Sequence, residues 1–284
     1  MRKNGRKEST IIDNIDPFAQ VAKLIQDVND PEQFKEGLAK IKWSNTTKQT
    51  AASSYTVYLR TIGKTWTPPK YIREEKIYFI PTEAEIDALI NSSRVLAPLL
   101  QTLKETGVRI GEAYQVEWKD LDLERRTITI NHPEKGSLPR ILPLTQKCVD
   151  MIKTIPKDVP RPFARNVKLK GLSVTFQQAR DRTAIRLANP RIRRITFHTF
   201  RHWKGTTEYY KNRDERIVRH ILGHRTAHMT DRYIHIVETI YHDDSGEWTC
   251  KVAHTEKEAT ELIEQGFTYV NNMGDTTALY RKRK

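Results

Sequence analysis

Cysteine is scarce in this chain: Cys148 and Cys250 are the only two among 284 residues, and they stand far apart. Two isolated thiols build neither a disulfide framework nor a cysteine zinc site, so a reducing cytosol is the expected compartment. Long apolar runs are missing as well. No stretch approaches the roughly 18 residues of a membrane span, and the basic start MRKNGRK leads into mixed sequence, not the apolar core of a secretion signal. The phosphate-cradling phrases GxxxxGK(S/T) and GxGxxG are absent, and no carboxylate cluster is placed to hold magnesium. Nucleotide hydrolysis, dinucleotide redox chemistry and two-metal phosphodiester cleavage therefore lose their usual signatures. No cofactor is expected.

Positive charge is what the chain has in excess. Forty-nine Lys and Arg against 35 Asp and Glu leave +14, which favours a polyanionic partner through counterion release and electrostatic steering. The excess is concentrated: residues 1–70 carry +5, 71–160 carry −1, 161–232 carry +13 and 233–284 carry −3. A charge run is usually a solvated face. Here one block holds nearly all of the surplus, with few acids to pair it.

Periodicity divides the chain. Residues 1–10 read as a flexible basic arm. From Asp16 to Gly63 apolar residues recur at helical spacing, and residues 1–65 are expected to form a small helical domain. WTPPKYIREEKIYFIP, residues 66–81, has paired prolines and no helical period, so it reads as an extended linker. A second domain over 82–240 opens with Thr82 and Glu85 in a capping box. A helix over about 93–105 should end at Gly107 in a left-handed cap. TITINHPEKGSLPRILPL, residues 127–144, reads as a β-hairpin. Helical spacing returns over Leu172–Leu187 and Phe197–Tyr210. In the latter, Phe200, Trp203, Thr207 and Tyr210 form an inward stripe, with His198 and Arg201 on another face. Residues 241–284 read as strand, helix, strand, strand, with Gly274 in the last turn. The fold class is thus mainly α, with a small hairpin or sheet and a short α+β appendage.

The chemistry concentrates in HTFRH, residues 198–202, and LGHRTAHMTDRYIH, residues 222–235. His220, His224 and His228 are four apart, a metal-ligand stripe on a continuous helix, but Gly223 ends any helix between them. HTFRH lacks the inner glutamate of a zinc-protease helix, so no metal site is expected. Arginine beside histidine suits phosphate: guanidinium binds it bidentately, and imidazole donates a bond or moves a proton near neutral pH. With no metal-activated water in prospect, the nucleophile for a phosphate would come from the protein. Tyr233 is the candidate, and an ordinary half-buried aromatic is its other reading.

Taken in order, these phrases resemble the tyrosine recombinases, the phage-integrase-like site-specific DNA recombinases, over residues 16–240. The family's TGxRxGE phrase is matched by TGVRIGE, with Arg109 and Glu112; its hairpin lysine by Lys135 in EKGSLPRILPL; its HxxR box by His198 and Arg201; its LGH box by His224; and its nucleophile, nine residues on, by Tyr233. The resemblance implies that Arg109 and Arg201 clamp one DNA phosphate and that His224 adds a hydrogen bond. Tyr233 attacks to form a 3′-phosphotyrosyl link, His198 serves as its base, Lys135 protonates the leaving 5′-oxygen, and Glu112 orients its neighbours. Neither metal nor ATP is implied. Arg180, Arg182, Arg186, Arg193, Arg194 and Lys204 are candidate DNA-backbone contacts. The expected partners are double-stranded DNA and further copies of the chain, as a dimer or tetramer on DNA. The expected location is the cytoplasm, at the nucleoid, with no membrane. The helical domain would form the other half of a DNA clamp, and the tail after 240 is similar to those of archaeal integrases. A type IB topoisomerase-like relaxing enzyme and a catalytically inactive DNA-binding protein remain open alternatives.

Overall fold

In a computed structural model, residues 8–72, 77–164, 167–240, 248–272 and 277–283 are described, and the chain divides into two units between Ile77 and Tyr78. The first unit holds α1 (Glu8–Ala22), α2 (Pro31–Lys40) and α3 (Asn45–Thr61). Asp30 caps α2 by accepting from Glu32 N at 2.9 Å, and Ser44 caps α3 by accepting from Thr47 N at 3.3 Å, each satisfying an amide with no partner inside the helix. The core is an aromatic stack. Phe34 lies flat on Tyr55 at 3.8 Å, and Trp66 meets Tyr55 edge-on at 4.7 Å.

Two expectations need amendment here. Helix α1 begins at Glu8, before the expected Asp16 and inside the stretch read as an arm; residues 1–7 lie outside the described residues. The segment 66–81 is extended but not a free tether. Trp66 donates Nε1–H to Thr56 Oγ1 at 2.9 Å and Asn45 Nδ2 donates to the Ile72 carbonyl at 2.9 Å, so its first part packs on the first unit. Phe79 and Ile80 pack on the core of the second. Prolines and mixed charge conceal this, because Trp66, Tyr71, Phe79 and Ile80 carry the attachment.

The second unit starts with α4 (Glu83–Ile90), α5 (Ala97–Thr106) and α6 (Ile110–Gln115). The capping box is present: Glu85 N donates to Thr82 Oγ1 and Thr82 N to Glu85 Oε2. Gly107 closes α5 at φ 63°, the left-handed conformation that costs a glycine least. An antiparallel sheet follows, β1 (Leu121–Asp122), β2 (Thr127–Ile130) and β3 (Arg140–Pro143) in that spatial order, with Ile130 opposite Arg140. Then come α7 (Gln146–Lys153), α8 (Leu169–Arg186), α9 (Phe197–Asn212), α10 (Glu215–Leu222) and α11 (His228–Ile240). Ile86, Leu100, Ile128, Val149, Ile192 and Phe200 sit at the centre of one apolar core.

Helix α9 departs from its single expected stripe. It packs against α5, α10 and α11 together, so Arg201, His202 and Thr206 are buried along with Phe200 and Trp203, while Thr207 and Tyr210 are only half-buried. A central helix buries several faces, and on such a helix polar residues inside mark something other than packing.

The tail is the expected small α+β module: β4 (Trp248–Ala253), α12 (Glu256–Glu264), β5 (Thr268–Asn272) and β6 (Ala278–Arg283), in strand order β4-β6-β5. Ala253, Leu262, Phe267 and Tyr280 form its core. The turn assigned to Gly274, and residues 241–247 before the module, lie outside the described residues.

Candidate active site

Arg109 occupies the N-cap of α6, directly after the Gly107 cap that reverses the chain out of α5. Its backbone N–H donates to Glu112 Oε2 at 2.9 Å and its Nη1 to Glu112 Oε1 at 3.1 Å. Nη1 also donates to the Glu134 carbonyl at 3.3 Å and to Ser137 Oγ. Glu112 is 1% exposed and accepts two further bonds, from Glu134 N at 3.1 Å and from Arg140 Nη2 at 2.7 Å. Burial pushes the Glu112 carboxyl up, but the bond and charge of Arg140 and the two backbone donors outweigh it and hold the group below the usual glutamate range. Glu112 thus anchors two guanidiniums and the loop between β2 and β3.

Arg201 joins the distant segments. It is 1% exposed, yet its guanidinium donates Nη1 to the Gly107 carbonyl at 2.9 Å and Nη2 to the Leu222 carbonyl at 2.7 Å. Gly107 is two residues before Arg109, and Leu222 two before His224. One side chain therefore fixes both of these segments to α9. Burial first, then the positive charge of Arg109, pushes Arg201 down to about 10, while Tyr233 and Glu112 oppose the shift. Arg109, Arg140 and Arg201 outnumber the single fully buried carboxylate, so the pocket is short of negative charge. An anion would supply it.

Gly223 ends α10 at φ 68°, and a Cβ there would meet Arg140 Nη1 at 2.8 Å. His224 follows with its ring 5% exposed and its Nδ1 3.0 Å from Thr230 Oγ1. Tyr233 lies on α11 at 2% exposure; its ring is nearly parallel to that of His224, at 6.2 Å and 8°. It also rests on α9: a Cβ on Gly205 would come 2.9 Å from Tyr233 Cε1 and Cζ. Its Oη is 3.3 Å from His202 Nδ1. His198 is exposed on the same helix and meets His202 edge-to-face at 4.6 Å. Lys135 is exposed in the β2–β3 loop, at φ 51° beside Gly136 at φ 75°. A cavity of about 220 Å³ beside His224 is lined by Arg140, Arg216, Arg219 and His220.

Over this geometry, a family model described as the phage integrase family matches residues 81–239, more than half of the chain. The chain belongs to the phage integrase family. Relatives include the tyrosine recombinase XerD of Yersinia pestis, 28% identical over 174 residues, a match covering 55% of this chain and 56% of that protein. XerD of Rhizobium meliloti is 28% identical over 193 residues, covering 63% of this chain and 61% of that protein. The chain thus spans less than two thirds of these curated relatives. Among solved structures, a Tn1549 transposon integrase in complex with circular intermediate DNA superposes with a TM-score of 0.63 at 16% identity, over 93% of this chain and 96% of that one. At that identity the likeness establishes the fold, and the phage integrase fold is the architecture seen here: mainly helical, with small antiparallel sheets.

Not every candidate of this phage integrase domain faces solvent. Arg182, Arg186 and Arg193 are exposed, as a DNA-backbone contact requires. Arg180 is turned inward, donating to Asp181 at 3.1 Å and to the Ile195 carbonyl at 3.3 Å. Arg194 is exposed too, with its guanidinium over the Phe79 ring at 4.2 Å, whereas Lys204 is half-buried and pairs with Glu208 at 2.7 Å. Three side chains of the site were passed over in sequence. Arg140 stood in the hairpin only as a neighbour of Lys135. His202 stood in HTFRH without a role, although i to i+4 spacing puts it beside His198. Tyr78, which stacks on the His202 ring at 3.8 Å, left no signal at all.

Proposed function

We propose that the chain is a site-specific DNA recombinase that cuts and rejoins duplex DNA through a covalent 3′-phosphotyrosyl link, with neither metal nor ATP. The observation that supports this reading is the pair of bonds from Arg201 to the Gly107 and Leu222 carbonyls, which ties the backbone two residues before Arg109 and two before His224 to one buried guanidinium.

Arg109 and Arg201 hold the non-bridging oxygens of one phosphate and offset the charge that grows on them in the pentavalent transition state. His224 adds a donor, and His198 stands exposed on α9, the helix that carries Arg201. The Tyr233 oxygen attacks phosphorus, the bond to the 5′-oxygen breaks, and Lys135, on its exposed loop, protonates that oxygen. The phosphotyrosyl bond conserves the energy of the severed strand, so rejoining needs no nucleotide. Glu112 and Arg140 keep the pocket in register. Arg182, Arg186 and Arg193 add backbone contacts. Copies of the chain meet as a dimer or tetramer on DNA at the nucleoid, in the cytoplasm. Two XerH recombinase structures are of complexes bound to difH substrate, one before and one after cleavage, which supports duplex DNA as the partner.

Covalent capture tests the proposal. Protein recovered on genomic DNA of the source organism should map to discrete junctions, and a suicide duplex built on one should yield a protein–DNA adduct with a free 5′-hydroxyl. Tyr233→Phe should yield none. An adduct formed by Tyr233→Phe refutes the assignment of the nucleophile, and relaxation of any supercoiled plasmid by one protomer favours the topoisomerase reading.

A further inference from the structure

The family resemblance gives the phenolic proton of Tyr233 to His198, but the geometry points elsewhere. An imidazole nitrogen of His202 stands against the phenol, at 3.3 Å from Nδ1 to Oη. His202 is 6% exposed on a central helix, where a neutral ring that merely filled space would be replaced by an apolar one at no loss of packing. Its plane is fixed from two sides. Tyr78 stacks on it at 3.8 Å and 21°, and His198 meets it edge-on at 4.6 Å and 88°. His202 also directly follows Arg201, so the clamp on phosphate and the nitrogen at the phenol share one stretch of backbone.

We propose that His202 is the catalytic residue that accepts the proton of Tyr233 during attack, and that Tyr78 is the positioning residue that holds its ring for the transfer. The proposal rests on reading Tyr233 as the nucleophile. As the Oη–phosphorus bond forms, the O–H proton passes to His202 Nδ1 and the phosphorus–O5′ bond breaks, with the 5′-oxygen taking its proton from Lys135. Rejoining runs in reverse: the 5′-hydroxyl returns its proton to Lys135 as it attacks phosphorus, and the departing phenolate recovers its proton from the His202 imidazolium.

The test uses the full chain and a duplex built on a junction where wild-type protein is captured, with sulfur replacing the bridging 5′-oxygen. A thiolate leaves without an acid, so single-turnover cleavage reports the nucleophile side alone. His202→Asn places an amide where Nδ1 stands, keeping the hydrogen bond but accepting no proton. It should cleave about 10²-fold more slowly or worse, with duplex binding unchanged. Lys135→Ala should be nearly normal on this substrate. His202→Ala should regain rate when imidazole is added, a gain that no packing role predicts. Tyr78→Leu should be slow and Tyr78→Phe normal, since the stack needs the ring and not the hydroxyl. A His202→Asn protein that cleaves within about threefold of wild type overturns the assignment. A faster one does too, because His202 would then be a latch on a resting phenol. Wild-type protein that forms no adduct on any duplex removes the reading of Tyr233 instead.

Discussion

Arginines in this chain live in two worlds, and the contrast between them separates chemistry from adhesion. Arg201 and Arg140 are 1% and 6% exposed, and each is bonded to main-chain carbonyls of segments remote in sequence. Arg182, Arg186 and Arg193 stand in solvent on α8 and the turn that follows it. A buried guanidinium is costly unless all its hydrogens are placed, so its position is dictated by what surrounds it. A solvated one carries charge and little else. Under the proposed function Arg201 stabilises a transition state at one phosphorus, Arg140 keeps its surroundings in register, and the solvated arginines hold a polyanion nearby.

Breaking the buried group should have the largest effects. Arg201→Lys keeps a charge but loses the fork that reaches Gly107 and Leu222 together, so adduct formation should fall by about 10²-fold or more in single-turnover cleavage, while duplex binding in a mobility-shift assay changes little. Glu112→Gln should destabilise the domain by about 3–5 kcal/mol in denaturant unfolding, because Arg140 is left buried without its counter-charge. The same residue sets a pH dependence. Its folded carboxyl titrates below the value of 4.5 that it has when unperturbed, so its stabilisation is complete above that value and disappears as pH falls through the lower, folded one. Wild-type stability should therefore drop more steeply than that of Glu112→Gln between neutral pH and the acid side of 4.5.

Finer substitutions sharpen the comparison. Gly205→Ala pushes a methyl to 2.9 Å from the Tyr233 ring and 3.0 Å from Leu222 Cδ1, so the phenol must shift. It should cost about 1–3 kcal/mol of stability and about tenfold or more in cleavage rate. At the surface, Arg193→Gln should leave melting within about 0.5 kcal/mol and lower the salt slope of DNA binding by about one, equally for all sequences. An Arg193→Gln protein with its cleavage chemistry damaged would erase the distinction between the two groups.

Much of the fold was legible because local rules and tertiary structure agree. The Thr82–Glu85 box, the glycine caps at 107 and 223 and the β2–β3 hairpin each follow from chemistry within a few residues. The site was legible only through its phrases. Strand β3 shows the limit: in RILP the apolar Ile141 is 60% exposed while Arg140 is buried beside Glu112, opposite to what hydrophobic alternation predicts. Local pattern fails where function overrides it. His202 and Tyr78 were unreadable for another reason. Their contacts join positions 202 with 233 and 78 with 202, and no periodicity within one helix encodes a partner on another.

The reach of Arg201 also governs when the protein can react. Its bond to Gly107 spans 94 residues, and that of Arg140 to Ile221 spans 81, so the chain must close loops of that length before either guanidinium has its seat. A nascent polypeptide that has not yet emerged past Leu222 owns every arginine of the pocket and cannot assemble it. The pocket therefore forms in one late, cooperative event, after the chain beyond Leu222 has been made.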